Sequence, residues 1–488
     1  MRGALLDPPA TGPAAGEDAD GDGAIPGPGP APAPPSAPPA RRRRDPCPYA
    51  LAALLFAAYA TLSVLRHHAL ATRSWDLGIF EQAVRGYAHL QAPVADLKGP
   101  GTHILGDHFS PVTALLAPAY RLFPTPVTLL VAQAALFALS VVPVTRAATR
   151  LLGRGGGLAL GVAYGLSWGV QRAVDFDFHE IAFAVPLIAF SLEAVLRGRW
   201  RAALLWALPL VLVKEDLGTT VAALALVVAW RARRSRPQVL PYAIGTAAFG
   251  ILATLLTLTV LIPAFNTTEA YDYWSKLDGA GNPLTTGLET KTRTLLWLLL
   301  PTTGLLAVRS PLLLAALPTL GWRFLSADDH YWSTDWHYNA VLMPVLLLAL
   351  ADAVDISRRS PRPWLRTYAT HLPACAVAAA LALTTSLPLS MLTKPEAYRP
   401  PARVAAAKEL LDTIPDGATV EANVGPIARL TARCRVFWIG DTRGITPQFI
   451  ALGNEDLDDP VAYAKRLHPE ARWALEGEAG GYVVLRRR

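Results

Sequence analysis

Long apolar runs recur through the middle of the chain, and short polar stretches separate them. Many of these runs approach the roughly 20 residues that a helix needs to cross a bilayer. The pattern predicts eleven membrane-spanning helices, which lie near 49–66, 126–147, 157–172, 181–197, 201–214, 216–231, 239–262, 294–308, 310–324, 338–356 and 368–392. The run at 111–123 is too short to span and sits between prolines, so it predicts an amphipathic helix at the membrane interface.

The two ends of the chain have different patterns from the middle. Residues 1–46 are rich in Pro, Ala and Gly and have almost no large apolar side chains, which predicts a disordered tail. Residues 47–399 form the predicted transmembrane domain, and 400–488 predict a small α/β domain. Its predicted elements are helices at Val404–Leu411 and Pro460–Leu467 and strands at Thr419–Asn423, Val436–Ile439 and Tyr482–Leu485.

Composition and charge support a membrane protein and give it an orientation. Only 17% of the 488 residues are charged, and the mean hydropathy is +0.30, which excludes a soluble enzyme and a secreted disulfide scaffold. Arginine clusters occupy every second loop, beginning with Arg41–Arg44, so the N-terminus is predicted to be cytoplasmic. An odd number of spans then places the C-terminal domain outside the cell. The net charge of +7 comes from these loops and does not indicate nucleic-acid binding.

Carboxylates and histidines concentrate at the opposite, predicted outer ends of the helices. Ionisable groups are costly beside hydrocarbon unless they face a polar cavity. The long first outer loop, 67–125, and three later helix ends therefore predict one polar site, with a solvated outer surface as the alternative. Its candidate residues are Arg73, Asp76, Glu81, Asp107, His108, Asp175, Asp177, His179, Glu180, Lys214, Glu215, Asp216 and His337.

Two of these groups predict particular chemistry. If residues 175–180 are extended, Asp175, Asp177 and His179 share one face and, with Glu180, offer ligands for Mg²⁺ or Mn²⁺. A polar turn between helices is the alternative. Lys214-Glu215-Asp216 has almost no loop around it, so these charges are predicted to pair inside a cavity.

The segment Trp75–Gln82 predicts a short amphipathic helix in the first outer loop. Asp76 stands at its start, where a carboxylate can cap the helix, and this structural role competes with a catalytic one. Further along the same loop, the pair Asp107-His108 precedes the predicted interfacial helix and suits contact with a phosphate or a cation.

Four motifs occur in an order that resembles one family. They are Trp75–Gln82, Leu105–Pro111, Asp177–Glu180 and Lys214–Gly218. The chain is similar over about residues 50–350 to the bacterial and archaeal predicted membrane proteins grouped as domain of unknown function 2079. One departure is the absence of a proline that the resemblance leads us to expect between His179 and Glu180.

The layout of that family is similar to the membrane glycosyltransferases of the GT-C class. The resemblance implies an all-α polytopic fold, a polyprenyl-phosphate-linked sugar donor in the membrane, and transfer on the outer face. It implies that Asp76 is the catalytic carboxylate, with Asp107 and His108 beside it. Substrate contacts would come from Arg73, Glu81, Lys214, Glu215, Asp216 and His337, and the lipid phosphate would be held by basic groups among Arg73, Lys214, Arg172 and Arg323.

Two other functions fit the same pattern. A transporter or flippase for a lipid-linked or polar substrate would also place charged residues among its helices, although its charges would line a path across the membrane. A non-enzymatic membrane scaffold would use the outer domain to assemble partners. A donor lipid in an outer cavity favours the enzyme, whereas a charged path through the midplane favours transport.

Overall fold

Helices dominate the structure, a computed structural model that describes residues 45–266, 282, 285–453 and 457–488. The predicted disordered tail at 1–46 lies outside these residues except for its last two. In chain order the α-helices are α1 Cys47–His68, α2 Asp76–Ala88, α3 Ala117–Leu122, α4 Pro126–Gly165, α5 Trp168–Asp175, α6 Ala184–Leu196, α7 Trp200–Ala207, α8 Leu217–Ala232, α9 Leu240–Leu256, α10 Ile262–Phe265, α11 Leu288–Thr303, α12 Leu317–Leu325, α13 Leu342–Arg358, α14 Pro363–Thr384, α15 Ala402–Asp412, α16 Val424–Leu430 and α17 Pro460–Leu467.

Each of the eleven predicted spans overlaps a helix, but many of these helices are short. Five helical stretches in the described residues are long and apolar enough to cross a membrane, namely Cys47–His68, Pro126–Asp175, Pro237–Phe265, His337–Arg358 and Pro363–Thr384. Shorter apolar helices, such as Leu217–Ala232, lie between them. The number of spans therefore stays a prediction.

The longest helix, α4, is a hairpin of two helices. Gly153 adopts φ 80°, a left-handed conformation that glycine accepts without steric cost, and the chain reverses there. The second half then packs back along the first: a Cβ at Gly161 would lie 2.3 Å from Thr145 Oγ1, and the Ser140 and Tyr164 hydroxyls are 2.6 Å apart. The predicted separation of helices 126–147 and 157–172 is confirmed by this reversal.

Helix α13 is the central element of the bundle. Every residue from Leu342 to Ala351 is buried, and all ten are apolar or proline. The helix packs against α4, α6 and α14, which surround it. A helix that is apolar on all sides belongs in the interior of a bundle, because each face has a neighbour to bury it.

The C-terminal residues form a five-stranded sheet with helices, as predicted. The strands are β1 Thr419–Ala422, β2 Arg435–Trp438, β3 Phe449–Gly453, β4 Trp473–Ala479 and β5 Tyr482–Arg487. They are ordered β2-β1-β3-β5-β4; β1 runs parallel to β2 and β3, and β5 pairs antiparallel with β3 and β4. The sequence pattern predicted β1, β2 and β5 but missed β3 and β4.

Helix α2, from the first predicted outer loop, docks on this sheet. The amide of Gln82 donates to the carbonyl of Val436 at 2.8 Å, and the guanidinium of Arg85 donates to the carbonyl of Thr431 at 3.1 Å. Next to the helix, Asp96 accepts two hydrogen bonds from Arg435, at 2.8 and 2.9 Å. Apolar residues of the loop join the core of the sheet, so helix and sheet share one hydrophobic core. The docking therefore combines apolar burial with charged hydrogen bonds.

Glu81 lies at the centre of this docking surface and is fully buried. Its carboxyl accepts a hydrogen bond from the hydroxyl of Tyr120 in α3 at 2.9 Å and another from the hydroxyl of Thr431 in the C-terminal domain. Burial raises the pKa of Glu81 from 4.5 to about 7, and the two hydrogen bonds only partly oppose that rise. The carboxyl therefore keeps its proton well above the usual range.

We predict that Glu81→Gln makes stability less dependent on pH. The folded protein holds this proton up to about pH 7, whereas the unfolded chain releases it near 4.5, so the favourable contribution is complete at low pH and is lost as the pH rises through 7. Since glutamine stays neutral, the variant should match the wild type at low pH and exceed it above pH 7, by up to about 3 kcal/mol. Melting temperatures in detergent at pH 5 and pH 8.5 measure this.

The control is Glu409→Gln, which changes an exposed glutamate on α15. It should leave both melting temperatures unchanged. A Glu81→Gln variant that is destabilised equally at the two pH values would contradict the proposed neutral form of Glu81.

Candidate functional site

The predicted outer loops converge on one cavity of about 660 Å³. Its walls come from the start of α2, the loop before α6, the junction of α7 and α8, the segment between α12 and α13, and two residues of the C-terminal domain. The lining includes Arg73, Ser74, Trp75, Asp76, Lys98, His108, Phe176, His179, Lys214, Glu215, Asp216, Leu258, Trp322, Asp328, Tyr331, Trp336, His337, Tyr338, Val424 and Trp438. Residues that are more than 350 positions apart in the chain thus share one site.

Asp76 is the first residue of α2, and its carboxylate lines the cavity. The Ser74 hydroxyl donates to that carboxylate at 2.7 Å and in turn accepts from the Asp76 backbone N–H at 3.2 Å. The structure does not give the capping role to Asp76, because Trp75 occupies the capping position and the side chain that accepts from the first helical N–H is that of Ser74. None of the salt bridges among the described residues involves Asp76, so this carboxylate is available to a ligand.

Lys214, which lines the cavity, forms a buried ion pair with Glu180. Lys214 Nζ lies 3.0 Å from Glu180 Oε1 and 3.6 Å from Glu215 Oε1, and it lies 3.4 Å from His108 Nδ1. The predicted pairing of the Lys214-Glu215-Asp216 charges inside a cavity is thereby confirmed for Lys214 and Glu215. Burial alone would raise the pKa of Glu180, but His179 and Lys214 hold it well below its usual range. Glu180 therefore carries a charge inside the protein.

His179 connects this ion pair to the cavity. Its Nδ1 lies 2.6 Å from Glu180 Oε2, and its ring stacks on His337 with 3.8 Å between centroids and 25° between planes. Both rings line the cavity. A carboxylate beside one nitrogen of an imidazole fixes the orientation of the ring, and the other nitrogen can then exchange a proton with a ligand.

The predicted metal site at residues 175–180 is wrong in its geometry. Asp175 ends helix α5 and Asp177 has φ 77°, so the segment is not an extended strand. Both oxygens of Asp175 contact guanidinium groups, Arg66 at 3.0 Å and Arg73 at 2.6 Å. Asp177 is buried and accepts from the Arg73 N–H at 3.2 Å; burial raises its pKa to about 7, although the charge of Arg66 opposes the rise. Because the segment bends, these two carboxyls point toward α1 and the loop after it, where they bind Arg66 and Arg73.

A different acidic group has ligand atoms close enough together for a metal ion. Among the described residues, the group consists of Asp328, Asp329 and His330, and His330 Nδ1 lies 3.0 Å from Asp328 and 3.2 Å from Asp329. Asp329 and His330 are largely exposed at the rim of the cavity. Exposed groups of this kind are common at protein surfaces, so the arrangement alone does not assign a cation.

Other predicted residues lie outside the cavity wall. Glu81 was predicted to bind substrate, but it is buried in the docking surface of α2. Asp107 stands behind the wall and pairs with Lys98 at 3.2 Å and with His108 at 3.6 Å. Arg323, a predicted phosphate ligand, is fully buried and donates to the carbonyl of Tyr331 at 2.8 Å. It therefore stabilises the segment after α12.

The remaining predicted residues fall into two groups. Arg172 pairs with Asp335 at 3.5 Å, outside the cavity lining. Arg73, His108, Lys214, Glu215, Asp216 and His337 do line the cavity, as predicted. Sequence reasoning missed Lys98, Val424 and Trp438. Lys98 is an isolated basic residue in the first outer loop, so its sequence surroundings do not mark it. No local signal in a β-strand could have placed Trp438 in the same cavity as Asp76.

The sequence matches a family model over residues 66–454, under the description predicted membrane protein (DUF2079). This chain belongs to the DUF2079 family. The match begins at the end of α1 and runs through α2 to α14 and strands β1 to β3, so the predicted resemblance is confirmed. No curated protein matches the chain in sequence.

The fold of this DUF2079 member is similar to that of solved ArnT structures from Cupriavidus metallidurans. The structure of ArnT bound to undecaprenyl phosphate has a TM-score of 0.56 and 15% identity, covering 90% of this chain and 97% of ArnT. The structure of apo ArnT has a TM-score of 0.51 and 13% identity, covering 89% and 97%. At such identities the similarity establishes the fold alone. The family and the fold together identify a membrane protein with an ArnT-like fold.

We predict that Glu180→Gln strongly destabilises the protein. The change leaves Lys214 and His179 beside a neutral amide in a site where water cannot compensate, and breaking a buried pair in this way typically costs about 3–5 kcal/mol. The melting temperature of purified protein in detergent measures the loss. Adding Lys214→Met to Glu180→Gln should recover part of it, because the site then loses one positive charge to match the negative charge already removed.

The matched control is Asp355→Asn, which breaks an ion pair with Arg359, whose side chain is 73% exposed. Exposed helix pairs contribute only about 0.3–0.5 kcal/mol, so this variant should melt close to the wild type. Equal and small losses in Glu180→Gln and Asp355→Asn would show that the buried pair does not stabilise the fold.

Proposed function

We propose that the protein is an integral-membrane glycosyltransferase that uses a polyprenyl-phosphate-linked sugar donor on the outer face of the cell membrane. The observation that carries this proposal is the carboxylate of Asp76, which lines the cavity and has no basic partner among the described residues. The fold supports it, since the similar ArnT structure is bound to undecaprenyl phosphate. A lipid phosphate is thus a reasonable ligand for this cavity.

The orientation in the proposal follows from the distribution of charge. At the end of the bundle opposite the cavity, Arg146 pairs with Glu193, and Arg231 pairs with Asp352. Arginines that lie near the ends of membrane helices mark the cytoplasmic side. The proposal therefore places the N-terminus inside and the cavity and C-terminal sheet outside.

Reporter fusions test this orientation directly. A fusion after Arg236, in an arginine-rich loop, should report cytoplasm, and a fusion after Arg403, at the start of the C-terminal domain, should report the exterior. Paired phosphatase and fluorescent-protein reporters serve as mutual controls, because each is active on only one side. Two fusions reporting the same side would refute the orientation.

Arg73 is best placed to hold the lipid phosphate. Arg66 and Arg73 share a single carboxylate, Asp175, and the neighbouring Asp177 has its pKa raised by burial to about 7. This group therefore keeps a net positive charge that faces the cavity through Arg73. Lys214 is less suitable, because two carboxylates already surround it. A guanidinium also matches the geometry of phosphate oxygens.

The proposed step transfers one sugar without a metal ion. Asp76 takes the proton of an acceptor hydroxyl while the hydroxyl oxygen forms a bond to the anomeric carbon of the donor. The bond between that carbon and the phosphate oxygen breaks, and its electrons leave with the polyprenyl phosphate, whose charge Arg73 balances. The predicted Mg²⁺ or Mn²⁺ is not included, because arginines already contact both oxygens of Asp175.

The alternative of a transporter or flippase has less support. Transport would need polar groups along the middle of the bundle, but the central helix α13 is apolar and buried from Leu342 to Ala351. The ionisable residues of the cavity instead gather at one end. The scaffold alternative gives no reason for an available carboxylate inside a cavity of about 660 Å³.

We predict that Asp76→Asn abolishes glycosyl transfer while leaving the fold and donor binding nearly intact. Asparagine keeps the shape of the side chain and its contact with Ser74 but cannot accept a proton, and losing a positioned base typically lowers the rate by a factor of roughly 10² to 10⁴. Purified protein should be incubated with labelled polyprenyl-phosphate sugars, and turnover, donor binding and melting temperature should be compared.

Asp416→Asn, which changes an exposed carboxylate of the C-terminal domain with 83% of its side chain accessible, is the control and should transfer normally. Full activity in Asp76→Asn would exclude Asp76 as the base. His179, whose Nδ1 lies 2.6 Å from Glu180 Oε2, would then be the next candidate. Loss of activity in His179→Gln, with Asp76→Asn active, would assign the role to the imidazole.

A further inference from the structure

We infer that the C-terminal domain forms part of the acceptor site, in which Trp438 and Trp75 bind a saccharide beside Asp76. This inference rests on the proposed glycosyltransferase function and adds the chemical class of the acceptor. Its starting observation is that Trp438, from strand β2, lines the same cavity as Asp76, although about 360 positions of sequence separate them.

The two tryptophans form a corner at the edge of the cavity. Their ring centroids lie 4.5 Å apart with 58° between the planes, and both side chains are half-buried. Trp75 directly precedes Asp76 in the chain, and Lys98 Nζ lies 5.3 Å from the Trp75 ring centroid. The corner thus combines two half-buried aromatic rings with an ammonium donor and a carboxylate.

A saccharide matches this combination of groups. A sugar ring has apolar C–H faces, which pack on aromatic rings, and a polar rim of hydroxyls, which needs hydrogen-bond partners such as Asp76 and Lys98. An acyl chain would place apolar atoms against those charged groups and would offer them no hydrogen bond. A hydroxyl of a sugar packed on Trp438 would come close to the proposed base.

Another part of the cavity wall fits the donor instead. Leu258 lines the cavity and belongs to Pro237–Phe265, one of the candidate membrane spans. Trp438 belongs to the C-terminal sheet, which the orientation proposed above places in water. A lipid-linked donor would therefore approach from the side of Leu258, and a water-soluble glycan or a glycan headgroup from the side of Trp438.

Trp438 is held in place by the docking of the sheet. Val436 and Phe437, the residues before it, are fully buried, and the carbonyl of Val436 accepts from Gln82 of α2 at 2.8 Å. After Trp438 the Gly440 N–H donates to Glu421 Oε1 at 2.6 Å, which secures the turn. A side chain fixed on a strand can position a substrate more accurately than one on a free loop.

The test uses Trp438→Ala and Trp438→Phe in the full chain. Polyprenyl-phosphate mannose and glucose serve as donors, octyl mannoside and octyl glucoside as saccharide acceptors, and a Ser/Thr-rich peptide as a competing acceptor class.

We expect Trp438→Ala to raise the KM for the glycoside by about tenfold or more while the KM for the donor changes less than twofold. Trp438→Phe, which keeps an aromatic face, should lie in between. Trp364→Ala, which removes a tryptophan that is 64% exposed outside the cavity, should match the wild type.

The outcomes separate this inference from the proposed function. A wild-type protein that consumes no donor with any acceptor refutes the glycosyltransferase function itself. A wild-type protein that transfers sugar but has an unchanged glycoside KM in both Trp438 variants refutes the acceptor site alone, as does preferential transfer to the peptide. The melting temperature of each variant is measured beside its assay. If Trp438→Ala does not fold, the glycoside KM of Trp438→Phe is compared with that of the wild type to decide whether Trp438 binds the acceptor.

Discussion

The contact between helix α2 and the C-terminal sheet is the interaction on which the site depends. Gln82 and Arg85 bind backbone carbonyls of the sheet region, Asp96 pairs with Arg435, and a shared apolar core lies beneath them. Because Asp76 begins α2 and Trp438 ends β2, this contact sets the distance between them. Loss of the contact would separate the proposed base from the proposed acceptor site.

The cost of burying charge explains the arrangement around the cavity. An ionised group in a low-dielectric interior must be paired or give up its charge. Glu180 and Lys214 are paired, whereas Glu81 and Asp177 move toward the neutral form, since burial raises the pKa of each carboxyl to about 7. Asp76 does neither, because it stands at the cavity wall with Ser74 as its partner. This different situation is why we propose Asp76 as the carboxylate that contacts the substrate.

The fold similarity gives this chemistry a context but does not prove it. The ArnT structures cover nearly the whole chain, yet their identity of 13–15% establishes architecture only. What supports the proposed function is the combination of that architecture with particular residues. The guanidinium of Arg73 can bind a phosphate, Asp76 supplies a carboxylate, and Leu258 adds an apolar side chain to the cavity wall, a combination that suits a lipid-linked sugar. The buried apolar residues of the central helix α13 do not suit transport.

The candidate site could be predicted in its composition but only in part in its geometry. Motifs at helix ends identified Asp76, His108, His179 and Lys214 as neighbours, because helices of a bundle bring their ends to a common depth. The same reasoning misplaced Glu81, which lies five residues after Asp76 and so points to a different face of α2, toward the sheet instead of the cavity. It also expected an extended metal-binding segment at Asp177, where the backbone bends.

The sequence by itself determined the membrane-embedded helical class, the family, the distribution of arginines and the presence of a C-terminal α/β region, because hydrophobic periodicity and charge placement are local properties. Only the tertiary structure decided which carboxylate is available, which pairs with an arginine and which is buried and protonated. It also decided that Trp438 lies beside Trp75. These outcomes depend on solvent exposure and on contacts across hundreds of residues, which packing creates and no local pattern encodes.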